Sequence, residues 1–173
     1  SVANALSLQF GRAASLAGGT RNPVAYDAYL RATANQLVGL PGYRAALADI
    51  DIALAADPEF ALAHAFRGLV LINIVGLGQD WGLLNESIAA AKKAISLLPQ
   101  LRLAHATIGR AHQFLLDFAA AEIAFAKAAT LPPGTGRGII LEANYHSAMR
   151  RPARALALAD LAISLDPLNQ VPV

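Results

Sequence analysis

The sequence predicts an all-α protein, a solenoid of about four stacked helix pairs. Pro58, Pro99, Pro133 and Pro167 each close a run rich in Ala and Leu, at intervals of 41, 34 and 34 residues. A beat of that length in helical sequence marks a helix–turn–helix repeat. Small residues hold a fixed register before those prolines: Ala53, Ala94, Ala128 and Ala162 stand five before, and Ala46, Ser87, Ala121 and Ala155 stand twelve before. Positions seven apart share one helix face, where a neighbouring helix can approach closely. The chain is also 55% hydrophobic, much of it alanine, the strongest helix former.

The elements follow in order. Val2 to Leu8 reads as a leader helix and Ala17-Gly18-Gly19-Thr20 as a linker, so residues 1–22 lie outside the repeat. Pro23 opens the first helix, expected to run to about Val38, and Leu40-Pro41-Gly42 is expected to break it. A second helix from about Tyr43 ends at Asp57-Pro58, because proline cannot extend the ladder and turns its predecessor out of helix. The next pair is expected over about 59–75 and 81–97, with Asp80 as N-cap. Its seven extra residues, about two helical turns, lengthen both helices without turning their faces. The third pair is expected over about 100–116 and 118–130, and the fourth over about 135–149 and 152–165. The repeats themselves are placed at about 27–58, 61–99, 102–133 and 136–167, within a repeat region 23–168. Residues 169–173 read as the start of a further, truncated unit.

Counting forward from the prolines gives a second register. Gly68, Gly109 and Ala143, with Ala34 in the first repeat, form a small slot where the two helices of a pair should cross. Four residues earlier stand Leu30, His64, His105 and Ile139; three residues later stand Leu37, Leu71, His112 and His146. The recurring small, apolar and proline positions resemble the tetratricopeptide repeat family over roughly residues 23–168. His112 and His146 stand where that family usually has tyrosine, and its usual early aromatic is missing. The resemblance implies a right-handed superhelix whose first helices line a concave groove. The junction Thr20-Arg21-Asn22-Pro23-Val24-Ala25-Tyr26-Asp27-Ala28-Tyr29-Leu30-Arg31 resembles the entry to the C-terminal repeats of certain bacterial multidomain signalling proteins. Those proteins join an adenylate cyclase-like or a winged-helix regulator-like domain to such repeats. That implies an effector domain ahead of residue 1, which could be catalytic.

Composition narrows the function classes. The net charge of +2 indicates neither nucleic acid nor an anionic membrane as partner. With no cysteine, thiolate metal sites and thiol nucleophiles are excluded, but the compartment stays open; the cytoplasm is favoured and the periplasm is the alternative. The most apolar stretch, Leu69 to Gly78, is about half the length of a membrane span. The four histidines read as occupants of packing slots, with a metal site as the weaker alternative. Gly134-Thr135-Gly136-Arg137-Gly138 reads as an inter-repeat turn, because a phosphate loop would follow a strand. Arg150-Arg151-Pro152-Ala153-Arg154 reads as a solvated turn, with an anion or acidic-partner contact as the alternative. Trp81 reads as a staple for the lengthened helix, with an exposed hot spot as the alternative.

No Ser/His/Asp set and no paired carboxylate stands out, so a non-enzyme without cofactor or metal is expected. The groove residues implied by the resemblance are Arg31, Asn35, Leu69, Asn73, Arg110, Gln113, Phe114 and Asn144. Their arginines and amides suit a peptide backbone or a carboxylate. Arg31 with Asn35 partly resembles the family's carboxylate clamp, without its lysines. The expected function is a protein- or peptide-binding module. The alternative is a structural spacer or homo-oligomerisation element of a larger enzyme or transcription regulator.

Overall fold

A computed structural model describes residues 19–36, 39–78 and 80–165. The expected leader helix, the Leu37 slot and the further unit after residue 168 lie outside the described residues. Among the described residues the protein is all-helical, with eight helices packed in consecutive pairs. They are α1 (Pro23–Asn35), α2 (Gly39–Ala56), α3 (Ala61–Gly76), α4 (Leu83–Leu97), α5 (Arg102–Phe114), α6 (Phe118–Ala129), α7 (Arg137–Ala148) and α8 (Pro152–Leu165). The chain forms two compact units, residues 1–99 and 100–173, each with two of these pairs.

In the first unit α1 packs on α2, α2 on α3, and α3 on α4. Helix α3 is buried almost all round, from Ala61 to Val75, because its sequence is apolar on every face. Ala25 and Ala28 of α1 meet Ala53, Phe60 and Ala63, and Tyr29 packs its ring edge on Phe60 (5.1 Å) and Phe66 (5.7 Å). Ser87 is fully buried and donates its hydroxyl to the Gly68 carbonyl at 2.8 Å, so the small slots of α3 and α4 do meet. Helices α3 and α4 have 16 and 15 residues, α5 and α6 have 13 and 12, and α2 is the longest of these at 18.

Three expectations for this unit are corrected. Leu40-Pro41-Gly42 does not break a helix; α2 already starts at Gly39, which places Pro41 in the first turn, where its missing N–H costs nothing. Ala34 is exposed, and the buried small residues of α1 are Ala25, Ala28 and Ala32, the last of them two positions before the expected slot. Asp80 is not the N-cap of α4. Its carboxylate accepts from the Gly82 N–H at 2.8 Å in a turn ahead of the helix, and Gly82 takes the cap position.

The entry to α1 is pinned by one side chain with two duties. Asn22 accepts from the Val24 and Ala25 N–H groups, capping α1, and its amide donates to the Ala56 carbonyl at the end of α2 (2.8 Å). Thr20 adds a hydroxyl bond to Asp57 and accepts from the Asn22 N–H. Two helix ends that would otherwise need water are thus satisfied together.

In the second unit α5 pairs with α6 and α7 with α8, while α7 packs on α5. Gly109 is required where α5 crosses α6, since a Cβ there would lie 2.9 Å from the Phe125 ring. Gly138 lets α7 pass the start of α5, where a Cβ would stand 3.2 Å from the Leu103 backbone. The turns within the two pairs are copies of one another. The N–H of Asp117 reaches the His112 carbonyl and that of Arg151 the His146 carbonyl, both six-residue closures. Each turn places a non-glycine residue in the left-handed region, Leu116 at φ 59° and Arg150 at φ 56°.

Candidate functional site

In the first unit, Arg31 and Asn35 lie one turn apart on α1 and converge on a single carboxylate. The Arg31 Nε and the Asn35 amide each donate to Asp49 of α2, to separate oxygens and both at 2.9 Å. The Arg31 side chain remains 54% exposed. An amide and a guanidinium at this spacing therefore do hold a carboxylate, and the one they hold belongs to the chain. Leu69 is buried and Asn73 half-buried, both on α3. Beside them Arg67 reaches Asp51 of α2 and Glu86 of α4, each at 3.4 Å.

In the second unit, Arg110, Gln113 and Phe114 form one cluster on the last turns of α5. The Arg110 guanidinium donates to the Gln113 carbonyl oxygen at 2.8 Å and lies 4.6 Å above the centre of the Phe114 ring. Burial lowers the Arg110 pKa from its ordinary value. Cation–π stacking fixes the guanidinium plane and leaves an ordered donor surface. Asn144 is exposed on α7. It occupies the same register position as Arg110 and Leu69, one residue after the small slot.

The densest polar assembly of this unit lies elsewhere. Arg102 of α5 forks onto Glu142 of α7 through Nε (2.7 Å) and Nη2 (2.9 Å), with side chains only 8% and 1% exposed. Its Nη1 also donates to the Leu131 carbonyl at 3.3 Å. Next to this pair, Tyr145 donates its hydroxyl to Glu122 at 2.6 Å, and Arg151 Nη1 donates to both oxygens of the same carboxylate at 3.0 and 3.1 Å. These two bonds, the tyrosine's first, hold Glu122 below the usual carboxylate range. Burial and then the Glu122 carboxylate push the Tyr145 hydroxyl up to about 12. The Tyr145 ring stacks on Phe125 at 4.5 Å.

His146 completes the assembly. Its Nε2 accepts from Arg154 Nε at 3.1 Å, which requires the ring proton on Nδ1. That Nδ1 is buried and has no hydrogen-bond partner. Burial first, then Arg154 and Arg151, lowers the His146 pKa, so the ring is neutral at pH 7. A cavity of about 190 Å³ is lined by Glu122, Phe125, Ala126, Glu142, His146, Arg151 and Arg154.

Elsewhere, His64 Nε2 bonds the Pro58 carbonyl at 2.9 Å, and His112 Nδ1 stands 3.6 Å from Asp117. Among the described residues no three His, Asp or Glu side chains gather as metal ligands. None of the described helices is long and apolar enough to cross a membrane. Trp81 is 56% exposed.

Sequence reasoning singled out Arg151 and Arg154 but missed Arg102, Glu122, Glu142, Tyr145 and Asp49. A signal for one of them was present. Ile139, Glu142, Ala143 and His146 are spaced 3, 4 and 7 along one helix face, so a carboxylate among core residues demands a partner. Which arginine answers it, 40 residues upstream, has no local signature. No protein-family model matches the chain, and no curated protein is similar to it.

Proposed function

We propose that the chain is a non-catalytic module of the tetratricopeptide kind, coiled as a right-handed superhelix, that binds a peptide or helix of a partner protein. The observation that carries this reading is the recurrence of turn geometry at the repeat interval. Leu116 and Arg150, 34 residues apart, share a left-handed φ. The hydrogen bonds around them repeat one for one: Leu115, Leu116 and Asp117 donate as Met149, Arg150 and Arg151 do. A repeat that reproduces its backbone closure on unlike side chains is the behaviour of a stacked-repeat fold. Such folds serve mostly as interaction scaffolds. The setting in a bacterial signalling protein, with a cyclase-like or winged-helix domain ahead, belongs to the same proposal.

Each unit offers candidate ligand-binding residues of its own: Arg31, Asn35 and Asn73 in the first, and Arg110, Gln113, Phe114 and Asn144 in the second. The carboxylate already held by Arg31 and Asn35 supports this chemistry, because a partner carboxylate would compete with Asp49 for the same donors. Selection of a displayed random-peptide library on the immobilised protein tests the reading. A sequence consensus should emerge and should weaken at least about tenfold on Arg31→Ala with Arg110→Ala. No consensus, or one indifferent to both substitutions, refutes it.

A second reading rests on exposed apolar residues. Leu156 (64%), Ile163 (50%) and Leu161 (42%) lie open on α8, which suits self-association through that helix. Sedimentation equilibrium separates the two, since only self-association gives a mass that rises with concentration.

A further inference from the structure

We propose that the second unit docks on an anionic lipid surface through the end that carries its α5–α6 and α7–α8 turns. This goes beyond the peptide-binding reading and does not rest on it.

The helix arrangement gives the unit two unlike ends. Gly138, near the start of α7, lies against the backbone of Leu103, near the start of α5, so both helices begin at one end. The turns that follow them, at 115–117 and 149–151, share the other end. A direct contact joins the two: Arg151 bonds Glu122, which stands one helical turn after Phe118 on α6. At this end Leu115, Leu116 and Phe118 are 54%, 73% and 43% exposed. At the opposite end the connection from Thr130 to Gly136 exposes no large apolar side chain, and its Leu131 is half-buried.

Backbone strain marks the apolar tip. Leu116 sits at φ 59°, a conformation that glycine adopts more cheaply. A leucine largely in solvent gains nothing inside the fold in return, so the strain points to a contact outside it. Leu115, Leu116 and Phe118 surround a chain reversal and fan out from a convex corner. A rigid partner would need a matching pit, whereas a lipid interface closes round any protrusion.

Charge selects the kind of surface. Up to Pro99 the sequence has seven Lys and Arg against seven Asp and Glu; from Gln100 it has seven against five, so the whole surplus of +2 lies in the second unit. Arg150, the counterpart of Leu116, holds the same left-handed place in the other turn. Glu142 and Glu122 are spent on Arg102 and Arg151, while Arg150 and its neighbour Arg154 have no carboxylate partner among the described residues. The one acid of the apolar turn, Asp117, accepts from the Ala120 N–H. Apolar side chains beside uncompensated arginines suit a bilayer with anionic headgroups: the arginines attract it and the leucines enter it.

The test is flotation of the full chain with vesicles of phosphatidylcholine alone and with about one-third phosphatidylserine. Binding should be stronger to the anionic vesicles and fall as salt rises. Leu116→Gly, which relieves the strained backbone and leaves the fold intact, should weaken it at least about tenfold. Arg150→Gln should weaken binding to the anionic vesicles about fivefold. The chain has no cysteine, so Leu115→Cys and Thr135→Cys each take a single environment-sensitive fluorophore. The label at 115 should shift to the blue on anionic vesicles and the label at 135 should not. No binding to the anionic vesicles, equal binding to both kinds, full binding by Leu116→Gly, or equal shifts of the two labels overturns the proposal. Self-association, or binding of a selected peptide, that Leu116→Gly abolishes while vesicles go unbound also overturns it, and assigns the turn to a second copy or to a protein partner.

Discussion

Replacing Glu142 by leucine should be the most damaging single substitution in the second unit. The carboxylate is 1% exposed and takes a two-pronged bond from Arg102, itself only 8% exposed. Glu142→Leu leaves that guanidinium buried with only the Leu131 carbonyl, 3.3 Å away, as partner. Removing one member of a buried pair costs about 3–5 kcal/mol, most of it the desolvation of the charge left behind. A unit spanning residues 100–173 holds about 4–11 kcal/mol in total, so the variant should populate an unfolded second unit at 25 °C or lose most of its margin. Substituting both partners, Arg102→Met with Glu142→Leu, removes both charges and should recover at least about 2 kcal/mol of the loss. Urea denaturation at pH 7, followed by far-UV circular dichroism, measures all three chains. Trp81 is the sole tryptophan and lies in the first unit, so its fluorescence follows that unit separately. A loss below about 1 kcal/mol for Glu142→Leu, or a double variant as unstable as the single one, would refute the reasoning.

Leu116→Gly should stabilise the second unit by about 0.5–1 kcal/mol, because the left-handed φ of 59° costs leucine more than glycine loses in chain entropy; a thermal melt shows it as a rise, and a fall would contradict it. Asn22→Ala removes both the cap on α1 and the bond to the Ala56 carbonyl, and should cost about 1–2 kcal/mol in the first unit, read by Trp81 fluorescence. Stability should decline as pH drops below 6.5. His64 and His146 have lowered pKa values, in both cases chiefly through burial, so the unfolded chain takes up protons that the folded one refuses. The decline starts at the unfolded value of 6.5 and continues until the lowered folded values are passed, and a melting temperature flat between pH 7.5 and 5.5 would be the contrary result. At the alkaline end the Tyr145 hydroxyl, pushed up to about 12, should cost stability as pH rises above 10, and Tyr145→Phe should abolish that limb.

Much of the helical layout was legible because its causes are local. Proline cannot continue a ladder, so Asp57-Pro58 ends α2 and Pro152 starts α8 where the sequence places them. Ser87 and Gly109 were recognised as small-slot residues from spacing alone, and both sit at helix crossings. Errors came where one local rule competes with another. Pro41 is a breaker inside a helix and a good starter in its first turn, and only the path of the chain decides between them. The slip from Ala34 to Ala32 has the same origin, since counting back from Pro58 assumes a fixed distance between the helices of a pair.

The sequence by itself determined the helices, their pairing in order and the repeat interval, because these follow from backbone chemistry and from side-chain volume within one or two turns. Only the tertiary structure decided which charges meet. It put Asp49 in the fork of Arg31 and Asn35, Glu142 in that of Arg102, and left Arg154 beside a neutral histidine. Those pairings join residues up to 40 positions apart, and electrostatic partnership depends on distance in space, for which periodicity carries no term.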